Sequence, residues 1–195
     1  MPTQTSKQRP SRITNEGHIL EEIIATYVIK PSVTDFGARL QGSNTWHLVN
    51  NHAFKGVFVE KNKKSCEILR NHVPKAEVHA ELVTLENCND YVNGDTGILC
   101  IDIDGNDYHI WKAIKASPDV VVIEFGRAKS IKKQHGEVDE PWIPEYIEES
   151  PKRFDGASEE ALMDLAKTKG YRLYGKNSVN LIFLHERLRP TAQAS

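Results

Sequence analysis

Short runs of β-branched and aliphatic residues alternate with segments of helical periodicity along most of this chain. The clearest run spans residues 97–104 and is apolar at successive positions until its acidic end, and a second run spans residues 119–125. Successive apolar positions indicate a strand that is covered on both faces, as in a parallel sheet with helices on either side. The alternation therefore predicts βαβ crossovers and a parallel sheet rather than a β-sandwich.

Weaker runs complete the predicted sheet, with strands at residues 33–38, 56–60, 77–83, 171–174 and 179–184. Helical periodicity predicts helices at residues 18–27, 63–71, 106–115 and 158–169, and another from about residue 43, with Ser43 or Asn44 as its cap. A short GKNS turn joins the last two strands, which predicts a hairpin. The predicted fold is a doubly wound α/β domain with a mostly parallel seven-stranded sheet and a C-terminal antiparallel hairpin.

The length of the chain sets the expected domain organisation. A chain of 195 residues, of which 39% are hydrophobic, is able to bury one core. We expect a single domain over residues 16–186, between a flexible N-terminal segment (1–15) and a flexible tail (187–195) that both lack periodicity. Periodicity also stops over residues 127–156, where a basic part precedes an acidic, aromatic part. A connection of this length predicts a lid or substrate loop.

Composition argues against several kinds of partner. Lys and Arg number 25 and Asp and Glu number 27, so the formal net charge is −2 and offers no basic surplus for nucleic acid or an anionic membrane. No apolar stretch approaches the roughly 18 residues of a membrane span, and the polar start of the chain does not resemble a signal peptide. The three cysteines have no paired spacing and are interpreted as reduced thiols. We expect a cytoplasmic protein that binds a small molecule.

Polar residues at the ends of the first two predicted strands are candidates for ligand binding, because ligands of open α/β sheets collect there. Asp35, Gly37 and Gly42 lie in or beside the turn after the first strand, where glycine lets the backbone approach a ligand. Glu60 ends the second strand, roughly 20 residues beyond the glycine turn, a spacing at which an acid binds ribose hydroxyls. A generic turn and a solvated glutamate are the alternatives.

Acidic residues concentrate after the central strand, at Asp102, Asp104 and Asp107, with Glu124 at the end of the neighbouring strand. Strand alternation places Asp102 and Asp104 on one face, so the carboxylates are expected to converge. Converging carboxylates need a proton, a cation or a positively charged substrate. Their oxygens suit a divalent ion such as Mg²⁺, for which the sequence has no further support. In the alternative interpretation, Asp107 caps the next helix and Asp102 binds backbone.

Two histidines are candidate bases near neutral pH, His109 on the following helix and His135 in the 127–156 segment. Trp142 and Tyr146, in the aromatic part of that segment, are candidate substrate contacts. The predicted catalytic groups are Asp102, Asp104 and His109, and the predicted substrate contacts are Asp107, Glu124, His135 and Trp142.

The sequence resembles the FkbM-like branch of class I S-adenosylmethionine-dependent methyltransferases over residues 33–184. The most specific similarity is IDIDGNDY at 101–108, followed by Trp111. Weaker similarities occur in order at 35–38 (DFGA), 43–45 (SNT), 56–60 (GVFVE), 121–125 (VVIEF), 154–158 (FDGAS) and 169–175 (KGYRLYG). The turn after Ala38 departs from the family pattern, because Gln41 stands where the family tends to have its second glycine.

The resemblance implies a Rossmann-like methyltransferase fold and S-adenosylmethionine as cofactor. It places Asp35, Gly37 and Gly42 at the methionine end of the cofactor, Glu60 at the ribose, Leu82 at the adenine, and Asp102 at the methionine amino group or the reacting centre. Ser43 and Asn44 are further predicted cofactor contacts.

The leading hypothesis is methyl transfer from S-adenosylmethionine to an oxygen or nitrogen of a small molecule held under residues 127–156. Transfer from a sulfonium needs positioning, desolvation and a proton acceptor, which Asp102, Asp104 or His109 can supply. One alternative keeps the cofactor but performs aminocarboxypropyl transfer or cyclisation. Others are a non-catalytic binding or scaffold protein with this fold and a metal-dependent hydrolase. A homodimer through the edge of the closing hairpin is a further expectation.

Overall fold

The computed structural model describes residues 15–39, 45–126, 141–148 and 156–191. The strands are β1 (Ser32–Phe36), β2 (Lys55–Val59), β3 (Glu77–His79), β4 (Ile98–Ile101), β5 (Val120–Glu124), β6 (Tyr171–Lys176) and β7 (Asn180–His185). The α-helices are α1 (Asn15–Thr26), α2 (Trp46–His52), α3 (Lys63–His72), α4 (Asp107–Ala113) and α5 (Glu159–Thr168).

The strands form one seven-stranded sheet in the order β3-β2-β1-β4-β5-β7-β6. Strands β1 to β5 are mutually parallel, whereas β7 is antiparallel to both of its neighbours, β5 and β6. The order reverses between β1 and β4, so their carboxyl ends form the switch point at which ligands of open α/β sheets bind. The predicted mostly parallel, doubly wound sheet with its C-terminal hairpin is confirmed, and it is the Rossmann-like fold of class I methyltransferases.

Helices cover both faces of the sheet. In β4, Leu99 and Ile101 belong to the core under α4 and α5, whereas Ile98 and Cys100 belong to the core under α1, α2 and α3. All four side chains are at most 2% exposed. The unbroken apolar run of this strand therefore has the cause that the sequence predicts, namely burial on both faces.

Several predicted boundaries differ from the structure, at helices as well as at strands: α1 begins at Asn15 and not at residue 18, and α4 ends at Ala113 and not at residue 115. The central strand ends at Ile101 and not at residue 104, and the third strand ends at His79 and not at residue 83. Helix starts follow local chemistry: the side chains of Asn62 and Ser158 accept hydrogen bonds from Ser65 N and Ala161 N at the starts of α3 and α5. The predicted capping residues Ser43 and Asn44 lie outside the described residues.

The described part of the predicted flexible tail is packed against the domain. Leu188 is 8% exposed within the core beneath α1, Pro190 bridges to Tyr27, and Arg187 pairs with Asp119. The domain therefore continues beyond residue 186. Cys66, Cys88 and Cys100 are buried and form no disulfide. None of the described helices has the length and apolar character needed to cross a membrane.

Candidate functional site

A cleft opens at the carboxyl edge of the sheet, over β3, β2, β1 and β4. Its empty volume is about 280 Å³. The lining residues come from the turns that follow these four strands: Gly37, Arg39, Val59, Glu60, Lys61, Glu81, Leu82, Val83, Asp102, Ile103 and Asp104. Of the predicted cofactor contacts, Gly37, Glu60, Leu82 and Asp102 therefore meet at one place.

Gly37 provides a close backbone approach at the centre of this cleft. Its φ of +81° lies in the left-handed region, and a Cβ atom at this position would lie 1.7 Å from the Asp102 carbonyl oxygen. Its N–H donates to Val59 O at 2.9 Å. Only glycine lets the turn after β1 pass this close to the turn after β4.

Glu60 is a buried acid whose carboxylate already has two donors. Its side chain is 1% exposed. Oε1 accepts a hydrogen bond from Asn62 N at 2.6 Å, and Oε2 accepts one from Arg39 Nε at 3.3 Å. A second nitrogen of the same guanidinium donates to Asp104 Oδ2 at 3.2 Å. Arg39 thus connects the ends of β2 and β4 from its own position after β1.

The side chains of Asp102, Asp104 and Glu124 offer ligand oxygens that all lie within 4.8 Å of one another. Burial and the charge of Asp102 raise the pKa of Glu124 to about 8. Burial and the charge of Asp104 also raise the pKa of Asp102, although a hydrogen bond with Glu124 opposes that rise. Glu124 is therefore the protonated partner at neutral pH, and its hydroxyl donates to the Asp102 carboxylate.

The predicted convergence of these carboxylates has a different cause from the one expected. Asp102 and Asp104 lie beyond the end of β4, so strand alternation does not place them, and Asp104 has a φ of 62°. Asp107 holds the turn: its carboxylate accepts from Ile103 N at 3.0 Å and Gly105 N at 2.9 Å. Burial raises the pKa of Asp107 to about 7. Its 1% exposed carboxyl group faces the turn before α4 rather than the cleft, and it does not cap α4 as the alternative interpretation expected, because both of its donors precede the helix.

Residues 141–148, the described inner part of the predicted lid, are attached beside this turn. The Asn106 amide donates to Ile147 O at 2.6 Å and accepts from Ile147 N at 3.2 Å. His109 Nε2 donates to Pro144 O at 2.7 Å, since a carbonyl oxygen only accepts. Nε2 is therefore protonated and is not the atom through which His109 would act as a base.

Trp142 is held through its backbone. Its N–H donates to Ser158 Oγ at 3.2 Å and its carbonyl accepts from Ser158 N at 2.8 Å. Its indole Nε1 is buried and has no hydrogen-bond partner within the described part of the chain. A substrate role for Trp142 stays a prediction, and His135 lies outside the described residues.

The remaining predicted cofactor residues are not in the cleft or are not described. Asp35 is 1% exposed within β1 and accepts a hydrogen bond from Thr45 Oγ1, so it ties β1 to the start of α2. Gly42, Ser43 and Asn44 lie outside the described residues.

Sequence reasoning missed three polar residues around the site, Arg39, Asn106 and Glu16. Glu16, in the first turn of α1, is 7% exposed and accepts hydrogen bonds from the side-chain amides of Asn177 and Asn180. Asn180 pairs with Glu124 in the sheet, so Glu16 lies next to the carboxylate group. The only signal for Arg39 in the sequence is its position two residues after Gly37.

Three carboxylates at this spacing are able to hold a hard divalent cation. Two features already balance their charge, however. Arg39 pairs with Asp104, and Glu124 retains a proton that it shares with Asp102. A metal role therefore stays a prediction.

Comparisons with known proteins agree on the fold alone. The sequence matches no protein-family model and no curated protein. Among solved structures, the fold is similar to the N-terminal domain of EvdMO1 in the presence of S-adenosylhomocysteine and D-fucose, at a TM-score of 0.53 and 9% identity over 93% of this chain and 84% of that one. It is also similar to the sugar N-methyltransferase KedS8 from Streptoalloteichus sp ATCC 53650, at 0.51 and 10% identity over 88% and 85%.

Proposed function

We propose that this protein is an S-adenosylmethionine-dependent methyltransferase of the FkbM-like branch that methylates an oxygen or nitrogen of a small molecule. The observation that carries the proposal is the cleft at the switch point of a methyltransferase-type sheet, where Gly37, Glu60, Leu82 and Asp102 meet. Each of these residues stands at the end of a different strand, which is how ligand sites of open α/β sheets are built.

The donor and acceptor groups of the cleft fit an adenosine cofactor. The carboxylate of Glu60 would accept hydrogen bonds from the ribose hydroxyls, and Leu82 would pack against the adenine. Gly37, whose backbone lines the cleft, would face the methionine part, and Asp102 would lie where that part meets the reacting centre. When bound, the cofactor supplies an electrophilic methyl group.

The Asp102–Glu124 pair supplies the proton chemistry that methyl transfer requires. An attacking hydroxyl or ammonium group must lose a proton, and Asp102 offers a carboxyl group beside Glu124, whose pKa of about 8 favours its protonated form. Asp102 accepts the proton from the acceptor substrate, while Glu124 limits the accumulation of negative charge beside it. The hydroxyl and amino groups of sugars are one class of acceptor, because the structural neighbours include a domain with D-fucose and a sugar N-methyltransferase.

The cofactor assignment is tested by calorimetric titration with S-adenosylmethionine and S-adenosylhomocysteine. We expect micromolar dissociation constants, equivalent to about −8 kcal/mol. Glu60→Ala should weaken binding at least tenfold, because two hydrogen bonds to a charged acceptor contribute about 1.5–3 kcal/mol each. Glu67→Ala, which removes an exposed acid on the neighbouring helix α3, is the matched control. Folded parent protein that releases no heat with either ligand would contradict the proposal.

The reaction type is tested by product analysis after incubation with S-adenosylmethionine and a panel of amino and hydroxyl sugars. Formation of S-adenosylhomocysteine would support methyl transfer. Formation of methylthioadenosine instead would show aminocarboxypropyl transfer or cyclisation and would contradict the proposed reaction while retaining the cofactor.

A further inference from the structure

We propose that Arg39 closes the cofactor cleft in the free protein and that the cofactor must displace it from Glu60 in order to bind. This inference rests on the proposed function, because it assigns the cleft to an adenosine ligand. The two ion pairs that Arg39 makes, with Glu60 and with Asp104, are called the Arg39 bridge below.

The position of the bridge makes it an obstacle to a ligand. Arg39 follows β1, which lies between β2 and β4 in the sheet, and its guanidinium contacts one acid from each side. A ligand that reaches from Leu82 past Glu60 to Asp102 extends in the same direction as the line between these two acids and meets the guanidinium between them. The bridge therefore spans the path along which an extended cofactor would lie.

The exposure of the partners shows which group covers the other. The Arg39 side chain is 48% exposed, whereas the Glu60 side chain beneath it is 1% exposed. One Glu60 oxygen is already held by Asn62 N and the other by Arg39. A ribose can therefore reach this carboxylate only after the guanidinium has moved.

Arg39 itself lines the cleft, so the position of its side chain sets how far the cleft is open. Displacement of the long Arg39 side chain into solvent would widen the cleft without any change in the sheet. The side chain is sufficiently exposed for such a movement.

The experiment compares the rate of S-adenosylhomocysteine association with the parent protein and with Arg39→Gln. This ligand has no net charge at neutral pH, so long-range steering does not obscure the result. If the open form makes up about a tenth of the free protein, removal of the bridge should raise the association rate constant and the affinity roughly tenfold. Lys63→Gln removes one exposed positive charge from the nearby start of α3 and should leave both unchanged.

Salt provides a second readout with the unaltered chain. The Arg39 guanidinium is half exposed, so high ionic strength screens its ion pairs in part, and the pair with Asp104 more than the pair with the buried Glu60. The association rate of the parent should therefore rise between about 50 mM and 500 mM NaCl, whereas that of Arg39→Gln should stay nearly constant. Asp104→Asn, which breaks the other half of the bridge, should give a smaller rise in rate than Arg39→Gln and serves if that variant does not fold.

The outcomes separate this inference from the proposed function. If the parent binds the ligand and Arg39→Gln binds it at an equal or lower rate, the role of the bridge is overturned. A lower affinity in Arg39→Gln than in the parent would make Arg39 a direct ligand contact. Binding by neither folded protein would overturn the cofactor assignment and the bridge together. If Arg39→Gln binds the ligand faster than the parent, and its association rate no longer depends on salt, the role of the bridge is supported.

Discussion

Replacing Glu124 with glutamine tests whether the folded protein holds a proton between Asp102 and Glu124. The pKa of Glu124 rises from 4.5 to about 8 on folding, chiefly because of burial. Below pH 4.5 this group is protonated in both the folded and the unfolded chain. Between pH 4.5 and 8 the unfolded chain has lost the proton that the folded chain retains, so the free energy of unfolding falls as pH rises. Above pH 8 both states have lost the proton, so this contribution to the free energy of unfolding falls no further.

The size of the effect follows from the pKa change. At about 1.4 kcal/mol for each pKa unit, the full rise corresponds to about 5 kcal/mol. Glu124 is partly exposed, and solvent screening reduces the expected loss of stability between pH 5 and 8 to about 2 kcal/mol. Glutamine has the shape of the protonated acid and can donate to Asp102, but it does not titrate. The variant should therefore show a shallower decline, and the part that remains includes contributions from Asp107, with its pKa of about 7, and from Asp102, whose pKa is also raised.

Urea denaturation at pH 5, 6, 7 and 8 measures this difference directly, as the free energy of unfolding at each pH. Glu86→Gln is the matched control, because it makes the same substitution at an exposed position and should reproduce the decline of the parent. Equal pH dependence in the parent and in Glu124→Gln would refute the shared proton.

Two further predictions concern the turns that build the site. Gly37→Ala should destabilise the fold by about 1–3 kcal/mol and abolish S-adenosylhomocysteine binding. Gly94→Ala, where no atom lies within 4 Å of the added Cβ, should do neither. Thermal denaturation measures the stability of each variant and calorimetry measures its binding. Asn106→Ala should speed hydrogen exchange at the Ile147 amide by roughly tenfold, because it loses a hydrogen bond of about 1–1.5 kcal/mol, and unchanged exchange relative to an Asn71→Ala control would contradict this.

The fold could be predicted from the sequence because its strongest signal is local. Residues 98–101 are apolar in succession, and the structure shows them buried between two layers of helices. The end of this strand could not be predicted in the same way. Pairing continues to the bond from Asp102 N to Phe36 O and then stops because Asp107 draws the backbone into a turn. Such an ending depends on tertiary contacts rather than on hydrophobic periodicity.

The residues of the site likewise divide into those that local sequence patterns predict and those that depend on tertiary contacts. Glu60, Leu82 and Asp102 could be found because they follow predicted strands, and the carboxyl ends of parallel strands meet at one edge. Arg39 and Asn106 act on partners 65 and 41 positions away, so no local pattern predicts their contacts, although Asn106 lies within the IDIDGNDY motif. Their contacts follow from the order of the strands and from the path of the connection after β5, neither of which the sequence alone determines.

The acids around the cleft are neutralised in three different ways, and this difference makes their roles separable. Glu60 and Asp104 share the guanidinium of Arg39, Glu124 keeps a proton next to Asp102, and Asp107 is held by backbone N–H groups. Salt acts on the first arrangement because Arg39 is half exposed, and pH acts on the second because its proton is lost near pH 8. Salt has little effect on the Asp107 arrangement, because both of its donors belong to the backbone of a buried turn. A change in ligand binding that follows salt at constant pH therefore reports on the Arg39 bridge, whereas one that follows pH at constant salt reports on Glu124 with Asp102 and on Asp107, whose pKa is about 7.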